Sequence, residues 1–416
     1  MTVERFVVVG ASLAGLRAVE AARKAGFEGT VTLIGAEPHL PYDRPPLSKE
    51  FLEPTATGAD PEAPFLRDEK FLNEDLRIEL VLGEAATGLD TDRRDVLIGD
   101  RRIPYDALVI ATGSTLRTLP GTENLAGVHG LRTLDDSIAI RTALQAGART
   151  VVIGAGFIGS EIASSAKKHG VDVTVVEALP TPLVRATGSQ MGSAIASLHE
   201  RNGTTLLCGT GVKTIEGEVG VERVVLDNGT ILEADLVIVG IGVTPSVGWL
   251  EDSSLTLHNG IECDDKLWTG APGVYAAGDV ANWANPVFGV RQRMENWTAA
   301  AEQGAAAARN ALDPANAKPY ATVPYFWSDW YGSRIQFVGS PDAPEVLLVD
   351  GDVDTDERWV ALYRDADRLI GALTVNGQAE IMKYRRLITQ GASWQEGLDL
   401  AEKRKAVRLA KSAERH

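Results

Sequence analysis

The sequence has no C-x-x-C motif. Its two cysteines, Cys208 and Cys263, stand far apart in 416 residues, so no dithiol relay can be built from one local motif, and both are read as reduced and structural. It has no run near the roughly 20 apolar residues that a membrane helix needs. The opening "MTVERFVVVG" passes into a strand without a long apolar stretch or a cleavage site. A soluble, cytoplasmic chain with no membrane partner is expected. Positive charge is also short: 41 Lys and Arg face 57 Asp and Glu, a net charge of −16, which argues against nucleic acid as a global partner. The rest of the composition is of ordinary globular type, 44% hydrophobic and 24% charged. The length suits two or three domains.

Glycine is abundant, at 42 residues, and two glycine-rich turns stand about 140 residues apart, "VVVGASLAGLRAV" (7–19) and "VVIGAGFIGSEIA" (151–163). Each follows an apolar run suited to a buried parallel strand and opens a helix. In a dinucleotide-binding turn the first glycine makes the bend. The second admits backbone to the pyrophosphate, and the third lets helix pack on strand. The helix N-terminus supplies free N–H groups and a positive dipole end. The second copy is complete, with Gly154, Gly156 and Gly159, and Glu177 ends the strand that follows. A carboxylate there accepts hydrogen bonds from ribose hydroxyls and repels a 2′-phosphate, which favours NADH over NADPH; Arg185 is nearby. The first copy has Gly10 and Gly15 but Ser12 at the middle position, and its acid is Glu37. One such turn could be an ordinary strand–helix connection. Two, each with its acid in place, imply two bound nucleotides.

The order of elements repeats at the same scale. Each glycine turn is followed by a second strand, a meander and a buried strand ending in glycine ("DALVIATG", "ADLVIVGIG"). The second meander has an Asn-Gly turn at Asn228–Gly229. "WTAAAEQGAAAARNAL" reads as a helix, and from about Val323 the chain becomes β-rich before "AEIMKYRRLITQG" and a charged tail, "AEKRKAVRLAKSAERH", read as a solvated helix. "DGDVDTD" (350–356) imitates the start of a calcium loop but lacks the glycine and glutamate such a loop requires.

"DALVIATG" (106–113) and "GVYAAGDVA" (273–281) resemble the two short FAD signatures of the two-dinucleotide flavoprotein reductases. With "PYDRPPLSKEF", "GAGFIGSE", "GIGVTP" and "FWSD" in the expected order, the whole chain is similar to ferredoxin reductases of the putidaredoxin and rhodocoxin reductase type, which serve cytochrome P450s and Rieske-type ring-hydroxylating oxygenases. The resemblance implies an α/β chain with two Rossmann-like dinucleotide-binding domains and a C-terminal α+β interface domain. The FAD domain would comprise 1–113 and 243–322, the NADH domain 114–242, and the interface domain 323–416. It implies FAD contacts from Gly10, Ala14, Gly15, Glu37, Arg44, Lys49, Ala86, Arg132, Asp279 and Trp297. It implies NADH contacts from Gly154, Gly156, Phe157, Ile158, Gly159, Glu161, Glu177, Arg185 and Gly242. Lys49 and Glu161 are expected to pair at the flavin edge and to act in hydride transfer. Each residue also has a plain reading: Arg44 and Lys49 as a solvated loop stiffened by prolines, Asp279 as a cap, and Trp297, Trp327 and Trp330 as core or interface aromatics.

Without a dithiol, the reduced flavin must discharge directly to an outside acceptor. A flavin accepts two electrons and releases them singly, which suits a [2Fe-2S] ferredoxin and, beyond it, a P450 or Rieske-type oxygenase. A monomeric reductase is expected. Trp327 or Trp330 is a candidate electron route, and Arg291, Arg293, Arg334, Lys383, Arg385 and Arg386 are candidates for a local basic docking cluster. The alternatives are a reductase of rubredoxin or of a small molecule such as monodehydroascorbate or a quinone, and an NADH-sensing flavoprotein similar to apoptosis-inducing factor. Cytochrome c reduction with and without added ferredoxin separates them.

Overall fold

The computed structural model describes residues 3–56, 58–122 and 125–413. Among these are seven α-helices: α1 (Leu13–Lys24), α2 (Leu134–Gln145), α3 (Phe157–Lys168), α4 (Val184–Arg201), α5 (Trp297–Leu312), α6 (Gln378–Thr389) and α7 (Trp394–Ala413). The chain divides into two units. The first contains Met1–Asp43, Glu62–Thr115 and Val243–Thr322; the second contains Arg44–Pro61, Leu116–Gly242 and Val323–His416.

The first unit is built on a five-stranded parallel sheet in the order Val274–Ala276, Ala107–Ile110, Arg5–Val9, Thr30–Gly35, Ile78–Leu82. Its three middle strands are almost wholly buried, which is why they read as unbroken apolar runs and not as alternating ones. Helix α5 crosses α1 so closely that a Cβ on Gly304 would lie 2.1 Å from the Ala14 carbonyl oxygen. A meander of Gly88–Asp90, Asp95–Ile98 and Arg101–Pro104 follows.

The second unit repeats the plan. Its parallel sheet runs Thr205–Cys208, Val173–Glu177, Thr150–Ile153, Leu236–Val239, Val128–His129. A meander of Val212–Glu216, Arg223–Leu226 and Ile231–Glu233 turns at Asn228 and Gly229. The duplication extends to one side-chain clamp. At the start of the central strand, the Arg5 backbone and guanidinium donate to Asp106 at 2.8 Å. The Arg149 backbone and guanidinium donate to Asp235 at 3.0 and 2.8 Å.

The C-terminal part of this unit is an antiparallel sheet, Tyr325–Trp330, Ser333–Gly339, Arg368–Val375, Trp359–Asp365, Glu345–Asp350. Successive side chains alternate between its faces. Phe326 and Trp330 join a cluster with Phe157 of α3 and Met191 and Ile195 of α4.

Two findings depart from the sequence reading. The sequence pattern predicts no element over 184–201, where α4 forms despite Gly188 breaking it at φ +75°. The tail is a helix, but not a merely solvated one: Arg404 and Arg408 of α7 reach the buried carboxylates of Glu380 and Asp350, which Arg358 also bridges at 2.7 Å each. Residues 414–416 of that tail lie outside the described residues.

Candidate functional site

In the first unit the glycine turn is dictated by close approach. Gly10 has φ +118°, and a Cβ there would lie 2.1 Å from the Ala111 carbonyl oxygen; one on Gly15 would lie 1.9 Å from that of Gly10. No larger residue fits either place. Ser12 is the N-cap of α1, yet its side chain makes no cap hydrogen bond. The helix therefore starts with free N–H groups. Ala14 is buried in its first turn. Glu37 accepts a hydrogen bond from the Tyr42 hydroxyl, and its carbonyl accepts from the Gly83 N–H at 3.0 Å. That bond lays the 83–86 loop beside it, with Ala86 half-buried against the core.

The "AAGDV" stretch bends at Gly278, φ +78°, whose N–H donates to Gln303 of α5 at 2.8 Å. Asp279 follows, and its carboxylate accepts from the Ser114 hydroxyl at 2.9 Å. Asp279 is thus bound to a facing strand end as well as lying in a short helical turn. Trp297 opens α5, beside its capping residue Asn296, and its indole N–H donates to Asp43 at 2.6 Å.

In the second unit Gly154, φ +102°, would bring a Cβ to 2.4 Å from the Gly240 carbonyl oxygen, and Gly159 to 2.3 Å from that of Gly154. Gly156 differs: a Cβ there would meet nothing within 4 Å. The protein itself does not require glycine at this position, so the open space is suited to a ligand's backbone-close approach. Gly156 caps α3 without a side-chain bond, whereas α2 and α5 are capped by Thr133 and Asn296. The Glu177 carboxylate accepts from the backbone N–H groups of Ala155 and Leu179, both at 2.9 Å. Arg185 is exposed in the first turn of α4. Gly242 has φ +100° and open space around it. Ile158 is exposed, but the Phe157 ring packs 4.7 Å from that of Phe326, so only its backbone is available at the turn.

Glu161 is held by several segments of this unit. It is 4% exposed, and Lys49 Nζ lies 2.8 Å from its Oε1. The hydroxyls of Ser48 and Ser328 donate to its two oxygens, and the Asp329 N–H lies 3.4 Å from Oε1. A buried ion pair survives only with such further bonds. The segment that carries Lys49 runs along α3, with the Ser165 hydroxyl donating to the Ser48 carbonyl at 3.0 Å and Lys168 pairing with Glu53 at 2.6 Å. Arg44 donates to the carbonyl of Arg132, which precedes the Thr133–Asp136 capping box of α2.

Tyr42, Ser48 and Ser328, unassigned by the sequence reading, stand inside the quoted stretches "PYDRPPLSKEF" and "FWSD"; Ser114 follows directly on "DALVIATG" and carries no signal of its own. Trp330 is fully buried, as the plain core reading has it. Trp327 lies on the opposite face, half-buried, with the Arg334 guanidinium 5.7 Å from its ring. Arg291 and Arg385 spend guanidinium donors on backbone carbonyls.

The family model described as pyridine nucleotide-disulphide oxidoreductase matches residues 4–304, and one described as reductase C-terminal matches residues 325–409. The chain belongs to the pyridine nucleotide-disulphide oxidoreductase family. It is similar to rhodocoxin reductase of Rhodococcus erythropolis, 36% identical with 92% of this chain and 89% of that one covered. It is equally similar to the ferredoxin–NAD(+) reductase component of the anthranilate 1,2-dioxygenase system of Burkholderia cepacia, 36% identical over 94% of this chain and 96% of that one. Among solved structures, the ferredoxin reductase for the CYP199A2 system of Rhodopseudomonas palustris superposes with a TM-score of 0.89, at 34% identity over 96% and 99% of the two chains.

These oxidoreductases use FAD and NAD(H), and the residues present fit both. Two uncapped helix N-termini follow glycine turns, one of them with a cradle that a side chain would fill. The family name's disulphide has no counterpart here: Cys208 and Cys263 are both free, and they lie in different units. Burial raises the thiol pKa of each, so neither is poised as a thiolate.

Proposed function

We propose that this chain is an NADH-dependent, FAD-containing ferredoxin reductase. It passes single electrons to a [2Fe-2S] ferredoxin that supplies a P450 or ring-hydroxylating oxygenase, and it works as a cytoplasmic monomer. The observation that carries the reading is the pairing of two dinucleotide turns with the absence of any dithiol relay. Two relatives point the same way, since they are by name reductases of rhodocoxin and of a dioxygenase system's ferredoxin.

Bound FAD supplies a two-electron acceptor that can be emptied one electron at a time. The chain's own contribution is position and charge. Gly10, Ala14 and Gly15 bring the start of α1 to the FAD pyrophosphate, Glu37 holds its adenosine ribose, and Ala86, Asp279 and Trp297 line the remainder; Arg44, Lys49 and Arg132 are further FAD contacts. Gly154, Gly156, Phe157, Ile158 and Gly159 present the start of α3 to NADH, with Gly242 beyond. Glu177 faces the adenosine ribose with Arg185 beside it, and its charge disfavours a 2′-phosphate. Glu161, fixed by two hydroxyls and by Lys49, orients the nicotinamide end, and the Lys49 charge favours the electron-rich reduced state.

Purified protein should be yellow, should bleach on anaerobic addition of NADH, and should reduce cytochrome c only when a [2Fe-2S] ferredoxin is added. Colourless protein, or colour that persists under NADH without air, overturns the reading. Full cytochrome c reduction without ferredoxin overturns the acceptor.

A further inference from the structure

The turn between strands Tyr325–Trp330 and Ser333–Gly339 has two central residues, Tyr331 and Gly332, with φ +51° and +81°. Positive φ at both positions is the hairpin geometry that favours Asn-Gly. A bulky tyrosine held there is an outlier that persists only where its surroundings fix it.

Here they do. The Tyr331 N–H donates to the Ser164 hydroxyl of α3 at 2.7 Å, and its phenol donates to Thr204 Oγ1 at 2.9 Å. His199 of α4, fully buried, places Nδ1 2.8 Å from the Tyr331 oxygen and Nε2 3.0 Å from the Ser160 hydroxyl. With its one proton given to Thr204, Tyr331 can only accept from His199. Nδ1 therefore carries the imidazole proton, and Nε2 accepts from Ser160. Burial holds the ring neutral, its pKa pulled down to about 4, so this polarity is fixed across the neutral range.

Two features connect the corner to Glu161. Ser160, the far end of the relay, is its neighbour on α3. Three residues before Tyr331, Ser328 donates to Glu161, and its own oxygen accepts the Trp330 indole N–H at 2.8 Å, which turns the Ser328 proton toward the carboxylate. The strand position that presents Ser328 and the Asp329 N–H to Glu161 is thus set by how the corner is seated.

We propose that Tyr331 and His199 are positioning residues for Glu161: the relay Ser160–His199–Tyr331–Thr204 seats the hairpin so that Ser328 holds the carboxylate against Lys49. This rests on the assignment of Glu161 to NADH.

The test compares Tyr331→Phe, Glu161→Gln, the double variant, and Tyr384→Phe as a control, because the Tyr384 phenol is buried without a hydrogen-bond partner among the described residues. Two quantities are read: the acylation rate of Lys49 by an amine-reactive ester, followed by peptide mass spectrometry, and the anaerobic flavin reduction rate against NADH concentration. Tyr331→Phe should raise Lys49 acylation about threefold or more, as Glu161→Gln does. It should lower the limiting reduction rate roughly tenfold with little change in the NADH concentration at half-saturation. The double variant should match Glu161→Gln alone. Ser160→Ala, which leaves the hairpin intact, should act in the same direction more weakly and serves if Tyr331→Phe does not fold. Unchanged Lys49 acylation, or effects of Tyr331→Phe that add fully to those of Glu161→Gln, overturn the proposal. If Glu161→Gln leaves reduction unchanged while Tyr331→Phe still raises Lys49 acylation, the positioning stands and the NADH role of Glu161 falls.

Discussion

The turn at Gly10 and the turn at Gly154 share their first and last glycines and differ at the middle position and in how their acids are held. Their first and last glycines each face a backbone oxygen that a Cβ would strike, at 2.1 and 1.9 Å in one and 2.4 and 2.3 Å in the other. At the middle position one has Ser12 and the other has Gly156, with nothing near it. Their acids are also held differently, Glu37 by a phenol and Glu177 by two backbone N–H groups of its own turn and the residues after it. Packing therefore accounts for the shared glycines, and the unshared features are where one cofactor should be told from the other.

The largest effect should come from the first glycines. Gly10→Ala and Gly154→Ala each force a side chain into a backbone oxygen at positive φ, a cost of about 2–4 kcal/mol. If the assignment is right, Gly10→Ala yields protein depleted of flavin, whereas Gly154→Ala stays yellow and fails to bleach with NADH. Equal flavin loss in both breaks the distinction, and absorbance per protein measures it.

A smaller effect is expected at the middle position. Gly156→Ala meets no protein atom, so the melting temperature and flavin content should not change, while the dissociation constant for NADH rises about tenfold, near 1.4 kcal/mol. Ser12→Gly should leave flavin retention as it is. A fall in melting temperature for Gly156→Ala would mean that the glycine serves packing after all.

The smallest effect tests what the two units share. The Arg5 and Arg149 hydrogen bonds hold Asp106 and Asp235 at a pKa of about 2. Because the folded-state values lie below the ordinary carboxylate value near 4, their stabilisation is complete above that value and is lost as pH falls toward 2. Both pairs are partly exposed, so Asp106→Asn and Asp235→Asn should each cost less than about 1 kcal/mol at pH 7. The difference from the parent should shrink by pH 3 in urea titrations. A difference that grows on acidification would contradict the sign.

The sequence alone carried the duplicated glycine turns, their acids, the meanders and the apolar central strands, because each is a local pattern with a local cause. The resemblance supplied Lys49 beside Glu161, residues 112 positions apart that periodicity cannot link. What neither supplied was the support around them. Ser48 and Ser328 stand in quoted stretches but without a role, His199 and Tyr331 stand in unmarked ones, and the importance of all four comes from which long-range neighbour each meets. Helix α4 was hidden for a similar reason: Gly188 interrupts its pattern, and packing against the C-terminal sheet restores it. Trp330 reads equally as a core or an interface aromatic, since alternation alone does not say which face of the strand is buried.

By itself the sequence determined that there are two dinucleotide-binding turns and no C-x-x-C motif, since glycine at a bend, an acid at a strand end and a missing motif can be seen residue by residue. The tertiary structure decided how Glu161 is held. A carboxyl group is tolerated in a dry interior only if donors from distant segments converge on it, and that convergence depends on the packing of α3, α4 and the C-terminal hairpin, not on any stretch of chain.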